Sequence, residues 1–309
     1  MKHTTLGNTG ISVSVLGYGA MELRGPQVWN GRMIEQQYAD RLLNNMLDSG
    51  INFIDTAPCY GISEETIGKC IAHRRSEYIL ATKCGGAITR HDKGEWGLTH
   101  DFSEETLRKN IDTSLKLLKT DYIDLWQLHN PKPDRISKDM IAAVIEDLKK
   151  QGKIRHAAIS TTMPFIKTFI DWDFLETFQM AYSALERNEE RIISDVAARG
   201  RGTIIRGGVA QGDAGRNSNE KRAYFERSGI AALLDDGDTP SGFLLRFALT
   251  HPAVQTVIVG TANTDHLKEN ADAAQKGPLT KELYEECKQR LDSAGCTILW
   301  DSINGNPLR

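Results

Sequence analysis

Short apolar runs alternate with longer stretches in which apolar residues recur every three or four positions, along almost the whole chain. A short apolar run is typical of a buried strand, whereas recurrence at about 3.6 residues is typical of an amphipathic helix. The pattern predicts eight strand–helix pairs. The strands are predicted at 14–19, 51–56, 77–83, 122–129, 154–160, 178–183, 202–207 and 254–260, and the helices at 34–49, 63–73, 103–118, 134–152, 163–170, 189–200, 241–251 and 263–274.

This alternation predicts an α/β protein with a parallel sheet and outer helices, and eight pairs in one chain fit a closed (β/α)8 TIM barrel. We expect a single domain over residues 1–309. A turn at 7–10 between two strand-like runs predicts an N-terminal β-hairpin that caps the barrel, and 279–294 predicts an extra C-terminal helix. An open doubly wound sheet is the alternative, but the glycines of 7–10 lie in the hairpin and not at a strand–helix junction.

Residues typical of helix ends support these predicted helix boundaries. Ser63 and Ser103 are predicted to cap the helices that follow them, each with acidic residues in the first turn. Three glycines, each at the end of a helix, are predicted to close it before the next strand: Gly50, Gly152 and Gly200. Residues 209–230, rich in glycine, asparagine and serine, are predicted to be the longest irregular stretch.

Composition narrows the class of protein. The chain has 309 residues, 40% of them hydrophobic and 26% charged, which is ordinary for a globular protein. A formal net charge of −3 gives no reason to expect a nucleic acid or an anionic membrane as partner. The five cysteines form no C-x-x-C pair, and no apolar run is long enough to span a membrane. We therefore expect a cytoplasmic protein that binds a small molecule; the oligomeric state stays open.

Polar side chains stand at the carboxyl ends of the predicted strands, where a barrel enzyme has its active site. Asp55 ends the second strand and Tyr60 follows in the loop, while Lys83 and His129 end the third and fourth strands. Each residue alone has an ordinary structural interpretation, such as a helix cap, a loop anchor, a solvated cation or a core histidine. Together, an acid, a phenol, an ammonium and an imidazole at neighbouring strand ends form a set suited to proton transfer.

This set is suited to protonating a carbonyl oxygen. A tyrosine has an ordinary pKa of about 10, and a nearby ammonium makes the phenol more acidic. Lys83 can provide that ammonium if Asp55 holds it by an ion pair, and His129 can donate to or orient the carbonyl. No side chain supplies a hydride, so a nicotinamide cofactor is implied.

The chain resembles the aldo-keto reductase superfamily in "FIDTAPCYG", "LATK", "YIDLWQLH", "AIS" and "IVGTANTDHLKEN", which occur in the family's order over nearly the full length. The resemblance implies a (β/α)8 barrel with a nicotinamide cofactor extended across its mouth. It implies that Asp55, Tyr60, Lys83 and His129 are the catalytic tetrad, with Tyr60 as general acid. The activity implied is reduction of a small aldehyde, ketone or sugar carbonyl, or the reverse oxidation.

The resemblance also implies where the cofactor binds. Ser160 and Gln179 would hold the carboxamide, and segments 207–212 and 260–270 would hold the pyrophosphate and adenosine. The full set of implied cofactor contacts is Met21, Asp55, Ser160, Thr161, Gln179, Arg206, Val209, Gly212, Gly260, Thr261, Asn263, His266, Glu269 and Asn270.

The sequence departs from the family pattern at three places. Thr161 stands where many relatives have asparagine, and Arg206 stands where many have an aromatic residue that stacks on the nicotinamide. A planar guanidinium can also stack on a ring. Segment 260–268 contains Lys268 but no arginine to hold a 2′-phosphate. NADP(H) is the usual cofactor of the family, and NAD(H) is the alternative.

Aromatic residues on the strand–helix loops predict the substrate wall. Trp29 lies on the first loop and Trp96 on the third, and Trp300 in the tail could join them. We expect Trp29 and Trp96, with Tyr60 and His129, to contact the substrate. Packing of the loops is the other interpretation of each tryptophan.

Two other functions fit a barrel of this kind. One is a regulatory or binding protein, like the channel β-subunits that resemble this family, and it would need little turnover. The other is a metal-dependent hydrolase, which would need clustered histidine ligands; the first strand, "SVLGYGAM", has none, so we expect no metal site.

Overall fold

The computed structural model of the protein describes residues 1–90, 96–210, 219–295, 299–300 and 307–308. The strands are β1 (His3–Thr5), β2 (Ser12–Ser14), β3 (Leu16–Gly19), β4 (Phe53–Asp55), β5 (Ile79–Cys84), β6 (Gly86–Arg90), β7 (Trp96–His100), β8 (Ile123–His129), β9 (Ile154–Ser160), β10 (Thr177–Ala181), β11 (Gly202–Arg206), β12 (Thr256–Val259), β13 (Leu299–Trp300) and β14 (Pro307–Leu308). The α-helices are α1 (Gln36–Asp48), α2 (Ser63–Cys70), α3 (Glu104–Leu118), α4 (Lys138–Lys150), α5 (Ile166–Phe169), α6 (Glu190–Ala198), α7 (Asn219–Ser228), α8 (Pro240–Thr250), α9 (Thr264–Lys276) and α10 (Lys281–Ser293).

Eight parallel strands close into a barrel in the order β3, β4, β5, β8, β9, β10, β11 and β12. Each predicted strand is present, so the predicted (β/α)8 architecture is confirmed. The helices lie outside and bury one apolar face. In α3, for example, Leu107, Ile111 and Leu118 are buried while most of the intervening residues are not, as helical spacing requires.

The barrel interior has an apolar layer below a polar one. The apolar layer consists of small or aliphatic side chains and one aromatic ring: Phe53, Ala81, Leu125, Ala158, Ile204 and Ile258. Successive residues of a strand point to opposite faces, so the residue two positions further on also points inward. That rule places Asp55 above Phe53, Lys83 above Ala81, and Gln127 above Leu125. The polar layer at the carboxyl ends of the strands is what we call the mouth of the barrel.

The N-terminal hairpin closes the other end. Strands β1 and β2 pair antiparallel, with Thr4 opposite Val13. Leu6 and Val13 are fully buried and join the apolar cluster of the barrel interior. The amide of Asn8 donates to the carbonyl of Gly200, just before β11 begins. The predicted cap is therefore confirmed, as is the extra C-terminal helix, α10.

The helix ends agree with prediction in part. Ser103 caps α3, since its hydroxyl accepts a hydrogen bond from the amide of Thr106. The prediction that Ser63 is a cap is wrong, because Ile62 occupies that position and the Ser63 hydroxyl donates to the carbonyl of Ala20 at 2.9 Å. Three predicted helix-ending glycines all have positive φ, at 83°, 73° and 72°: Gly50, Gly152 and Gly200.

Two connections contain structure that the sequence did not predict. The stretch predicted as irregular, 209–230, contains helix α7. The connection after β5 contains the antiparallel hairpin β6–β7, in which Gly86 lies opposite His100. The helix predicted at 163–170 is reduced to α5, which has four residues.

Candidate active site

The predicted tetrad lies together at the mouth of the barrel. Asp55 ends β4 opposite Ala81 of β5, and His129 ends β8 opposite Ser160 of β9. The strand registers therefore bring the ends of these strands to similar heights along the barrel axis. Lys83 lies on β5 opposite Gln127 of β8. Residues that are far apart in sequence therefore share one cluster, as the position of the strand ends predicted.

An ion pair lies at the centre of this cluster. Nζ of Lys83 is 2.6 Å from Oδ2 of Asp55 and donates at 2.8 Å to the carbonyl oxygen of Thr56. The Lys83 side chain is 1% exposed and that of Asp55 is 3% exposed. Burial alone would lower the pKa of Lys83, but the charge and hydrogen bond of Asp55, together with Tyr60 and Cys59, more than compensate, and the net pKa is raised. Lys83 is thus a cation at neutral pH.

Two amides hold the other oxygen of the carboxylate. Nε2 of Gln127 donates to Oδ1 of Asp55 at 2.7 Å, and Nε2 of Gln179 donates to the same oxygen at 2.8 Å. The hydroxyl of Ser160 in turn donates to Oε1 of Gln179 at 2.7 Å. With Lys83 on Oδ2, Asp55 accepts three hydrogen bonds, which compensates much of the cost of burying its charge.

Tyr60 lies against the ammonium of Lys83. The distance from Nζ to the centroid of the Tyr60 ring is 4.8 Å. Burial raises the pKa of Tyr60, and the charge of Lys83 lowers it without cancelling the effect of burial. As expected, the charge of Lys83 acts to lower the pKa of the phenol, but burial outweighs it and the pKa is raised overall. Tyr60 is consequently a neutral phenol at neutral pH.

Gly61 fixes the loop that presents Tyr60. Its φ is +55°, and a Cβ at this position would lie 2.2 Å from the carbonyl oxygen of Arg24. Val28 would also lie within 3.1 Å of it. The first strand–helix loop, which contains Trp29, therefore packs directly beside the Tyr60 loop.

His129 is buried beside the phenol and is uncharged. Its ring is 6.3 Å from that of Tyr60 and nearly perpendicular to it. Burial, together with the charges of Lys83 and Arg206 and with the nearby His100, holds the pKa of His129 well below its usual range. A neutral imidazole can donate one hydrogen bond without adding charge to the site.

Of the residues assigned to the nicotinamide end, Ser160 and Gln179 lie beside the tetrad. Ser160 and Gln179 are already bonded to each other and are buried, and Thr161 follows directly and is also buried. Arg206 ends β11 and is half-buried. Met21 is exposed in the turn after β3, and Val209 is half-buried. Gly212, which was also assigned to the cofactor, lies outside the described residues.

The segment assigned to adenosine begins α9. Asn263 caps this helix, its side chain accepting from the amide of Asp265 at 2.8 Å. Gly260 lies close to β3, since a Cβ there would be 2.7 Å from the carbonyl oxygen of Gly19. Lys268 is 77% exposed and pairs with Asp272 at 2.6 Å. The other assigned residues divide into exposed His266 and Glu269 and buried Thr261 and Asn270.

The predicted substrate wall is described in part. Trp29 is half-buried, and its φ of +43° is unusual for a bulky residue. Trp96 begins β7, whose last residue, His100, lies 6.4 Å from the ring of His129. The hairpin therefore places a second imidazole beside the tetrad. Trp300 lies in β13.

Sequence reasoning missed three residues at the mouth, which are Gln127, His100 and Cys59. Gln127 had a usable signal, because it lies two positions before His129 on the same strand and must point inward with it. Cys59 directly precedes Tyr60, and its sulfur lies 3.5 Å from Nδ1 of His129. His100 had no signal, since the hairpin that carries it was not predicted.

A model of the Aldo/keto reductase family matches residues 15–292. The chain belongs to the aldo/keto reductase family. It is 32% identical over 300 residues to the uncharacterized oxidoreductase YqkF of Bacillus subtilis, covering 91% of this chain and 94% of that protein. It is 26% identical over 305 residues to the NADH-specific methylglyoxal reductase of Escherichia coli, covering 88% and 93%. The holo form of aldo-keto reductase AKR11C1 from Bacillus halodurans is similar with a TM-score of 0.82 at 31% identity, covering 94% and 96%.

Membership of the aldo/keto reductase family gives the general activity. The chain is an NAD(P)-dependent oxidoreductase that acts on carbonyl compounds. Within the described ranges, no group of three or more histidine, cysteine or acidic residues is arranged to hold a metal ion. None of the helices in the described part of the chain is long and apolar enough to cross a membrane.

Proposed function

We propose that this enzyme reduces a small aldehyde or ketone, and that Tyr60 donates the proton to the carbonyl oxygen. The observation that carries the proposal is the contact between Tyr60 and Lys83, with Nζ 4.8 Å from the ring centroid while Asp55 holds the same ammonium at 2.6 Å. A phenol beside a fixed cation is able to release a proton because the cation stabilises the phenolate that remains.

The other residues of the cluster have supporting roles. Asp55 keeps Lys83 charged and in place, and the amides of Gln127 and Gln179 hold the carboxyl group of Asp55 in position. His129, as a neutral donor, orients the substrate carbonyl toward Tyr60. Orientation and a matched proton donor together are worth several orders of magnitude in rate.

The residues present fit a nicotinamide cofactor. Ser160 and Gln179 offer a hydroxyl and an amide at the ends of neighbouring strands, a donor and acceptor set that matches a carboxamide. Gly19 and Gly260 bring the end of β3 close to the segment before α9, and the N-terminus of α9 carries the positive end of a helix dipole, which suits a pyrophosphate. A bound reduced nicotinamide supplies the hydride for the carbonyl carbon.

The adenosine end favours use of NADH. A charged contact to a 2′-phosphate contributes on the order of 1.5–3 kcal/mol, or roughly 10- to 150-fold in affinity. Segment 260–268 contains no arginine, and its lysine, Lys268, pairs with Asp272. Exposed Asp265 adds a negative charge in the first turn of α9. A relative is named as NADH-specific, which agrees with this proposal.

The described mouth favours a small, polar carbonyl compound. The imidazole of His129 lies beside Tyr60 and that of His100 lies beside His129, and both offer hydrogen bonds to a substrate hydroxyl or second carbonyl. Half-buried Trp29, on the loop that packs beside the Tyr60 loop, would add an apolar side. A short 2-oxoaldehyde or a sugar combines these polar and apolar features.

Two measurements test the proposal. The first follows oxidation of NADH and NADPH with a panel of methylglyoxal, a short ketone and an aldose; no turnover with any of them would contradict carbonyl reduction by this site. The second titrates each cofactor into the protein by fluorescence. We expect affinities within about tenfold of each other, and a preference for NADPH above about 100-fold would mean that a basic residue outside 260–268 binds the phosphate.

The variant Asp265→Asn sharpens the cofactor test. Removing the negative charge should raise NADPH affinity by roughly two- to fivefold and leave NADH affinity unchanged, because an exposed charge contributes up to about 1 kcal/mol. Asp265→Glu, which retains the charge, is the matched control. Equal effects on the affinities of both cofactors would mean that the 2′ position of the adenosine ribose binds away from α9.

A further inference from the structure

Cys59 makes a contact that the tetrad chemistry does not explain. Its sulfur lies 3.5 Å from Nδ1 of His129, and Cys59 is the one hydrogen-bond partner that the described residues give this nitrogen. Cys59 is 2% exposed and His129 is 7% exposed. A Cβ at Gly86 would lie 3.2 Å from Nδ1, so the backbone of β6 closes the same edge of the ring. Nδ1 therefore faces the thiol of Cys59 and the backbone of β6.

Both partners are neutral at neutral pH. Burial raises the pKa of the Cys59 thiol to about 12, although the charge of Lys83 acts against it. Burial also lowers the pKa of His129 well below its usual range. The pair thus shares one S–H proton and one ring N–H proton, and the ring proton can be on either nitrogen.

The relative strengths of the two possible hydrogen bonds decide the tautomer. Sulfur is a weak acceptor and S–H is a weak donor, but an unprotonated imidazole nitrogen is a good acceptor, and a weak donor can bond well to it. A bond from S–H to Nδ1 is therefore better than a bond from Nδ1–H to sulfur. In a buried histidine, the proton goes to the nitrogen that the other hydrogen bond leaves available.

We propose that Cys59 is a positioning residue for His129: its thiol donates to Nδ1 and so keeps the ring proton on Nε2, where it can be donated to the substrate oxygen. The inference rests on the proposed function for the role of Nε2, but the tautomer itself is independent of turnover. Because Cys59 directly precedes Tyr60, one short loop presents the proton donor and sets the tautomer of its neighbour.

The experiment reads the tautomer directly. The full chain is labelled with ¹⁵N-histidine, and long-range proton–nitrogen correlation spectra at neutral pH distinguish protonated from unprotonated ring nitrogens. Loss of a signal in His129→Gln assigns the resonance. The variants are Cys59→Ala, which removes the thiol, and Cys59→Ser, whose hydroxyl can also donate to Nδ1. Cys70→Ala is the matched control, since Cys70 is equally buried but contacts Gln36 on α1.

We expect His129 to have its proton on Nε2 in the parent, in Cys59→Ser and in Cys70→Ala, and to become a mixture of tautomers in Cys59→Ala. In parallel, Cys59→Ala should lose roughly two- to tenfold in kcat/KM for the carbonyl with an unchanged affinity for NADH, because one weak hydrogen bond is lost. A proton on Nδ1 in the parent, or the same tautomer in the parent and Cys59→Ala, would overturn the inference. A correct tautomer without turnover on any carbonyl would instead count against the proposed function.

Discussion

Replacing Lys83 by methionine separates the structural role of the ion pair from its chemical role. Methionine has a similar length and fills the buried space, but it removes the ammonium that lies 2.6 Å from Asp55 and 4.8 Å from the Tyr60 ring. The change leaves the carboxylate of Asp55 buried with its two amide donors.

The loss of stability follows from these contacts. Breaking a buried ion pair by removing one partner costs about 3–5 kcal/mol, because a charge is left without compensation. The hydrogen bonds from Gln127 and Gln179 remain and reduce that cost, so we expect Lys83→Met to lose about 3 kcal/mol. The double variant Lys83→Met/Asp55→Asn removes the uncompensated charge and should recover more than half of this loss.

Activity should not recover with stability. Without the cation, Tyr60 is a weaker acid, and the contribution of a positioned general acid, about 10²- to 10⁴-fold, is lost in both variants. In the direction of alcohol oxidation, where the Tyr60 phenolate accepts the proton, residual turnover should set in at higher pH, since Lys83 is the charge that lowers the pKa of Tyr60. Urea unfolding gives the stability, and the pH profile of cofactor oxidation or reduction gives the activity.

A second buried ion pair provides the control. Nη2 of Arg75 lies 2.6 Å from Oδ2 of Asp124, which is 1% exposed, near the starts of β5 and β8. Arg75→Met should lose stability but keep kcat within about twofold, because it lies away from the mouth. Turnover that returns in Lys83→Met/Asp55→Asn, or an unshifted pH profile in Lys83→Met, would refute the reasoning.

Two further predictions concern a buried carboxyl group and the Tyr60 loop. Burial raises the pKa of Glu189 to about 7, so its protonated form stabilises the fold below its ordinary pKa, and that stability is lost as pH rises through about 7. Between about pH 5 and pH 8, the free energy of unfolding of Glu189→Gln should therefore fall by about 2 kcal/mol less than that of the parent, as measured by urea unfolding. The exposed control Glu282→Gln should follow the parent. Parallel curves of stability against pH for all three proteins would contradict this. Gly61→Ala should lose more than about 2 kcal/mol, since positive φ alone costs about 1–2 kcal/mol and its Cβ would also collide with Arg24. Gly10→Ala, with positive φ but open space, is the control, and equal losses by thermal unfolding would show that the collision has no cost.

The sequence predicts the barrel and the tetrad because both depend on local patterns. Strand and helix periods are visible in the chain, and the carboxyl ends of parallel strands meet at one mouth whatever their separation in sequence. Asp55 and His129 each end a strand and Lys83 lies one residue before the end of β5, so their proximity follows from the fold class alone.

Other features depend on geometry that a linear pattern does not contain. That Gln127 points inward follows from the strand period, but its partner, Asp55, depends on the stagger of strands around the barrel. The net shift in the pKa of Tyr60 depends on burial, which outweighs the nearby cation. Helix α7 was missed because its sequence, "NEKRAYFERS", has few apolar residues to mark a buried face.

The most direct test of the central claim is Tyr60→Phe, which removes the phenolic oxygen and keeps the ring beside Lys83. Carbonyl reduction by the purified variant is compared with that of the parent, and NADH affinity is measured on the same samples. The account predicts that the rate falls by at least about 100-fold while the affinity for NADH changes by less than about twofold. A rate within a few-fold of the parent would contradict the account and remove Tyr60 from the role of proton donor.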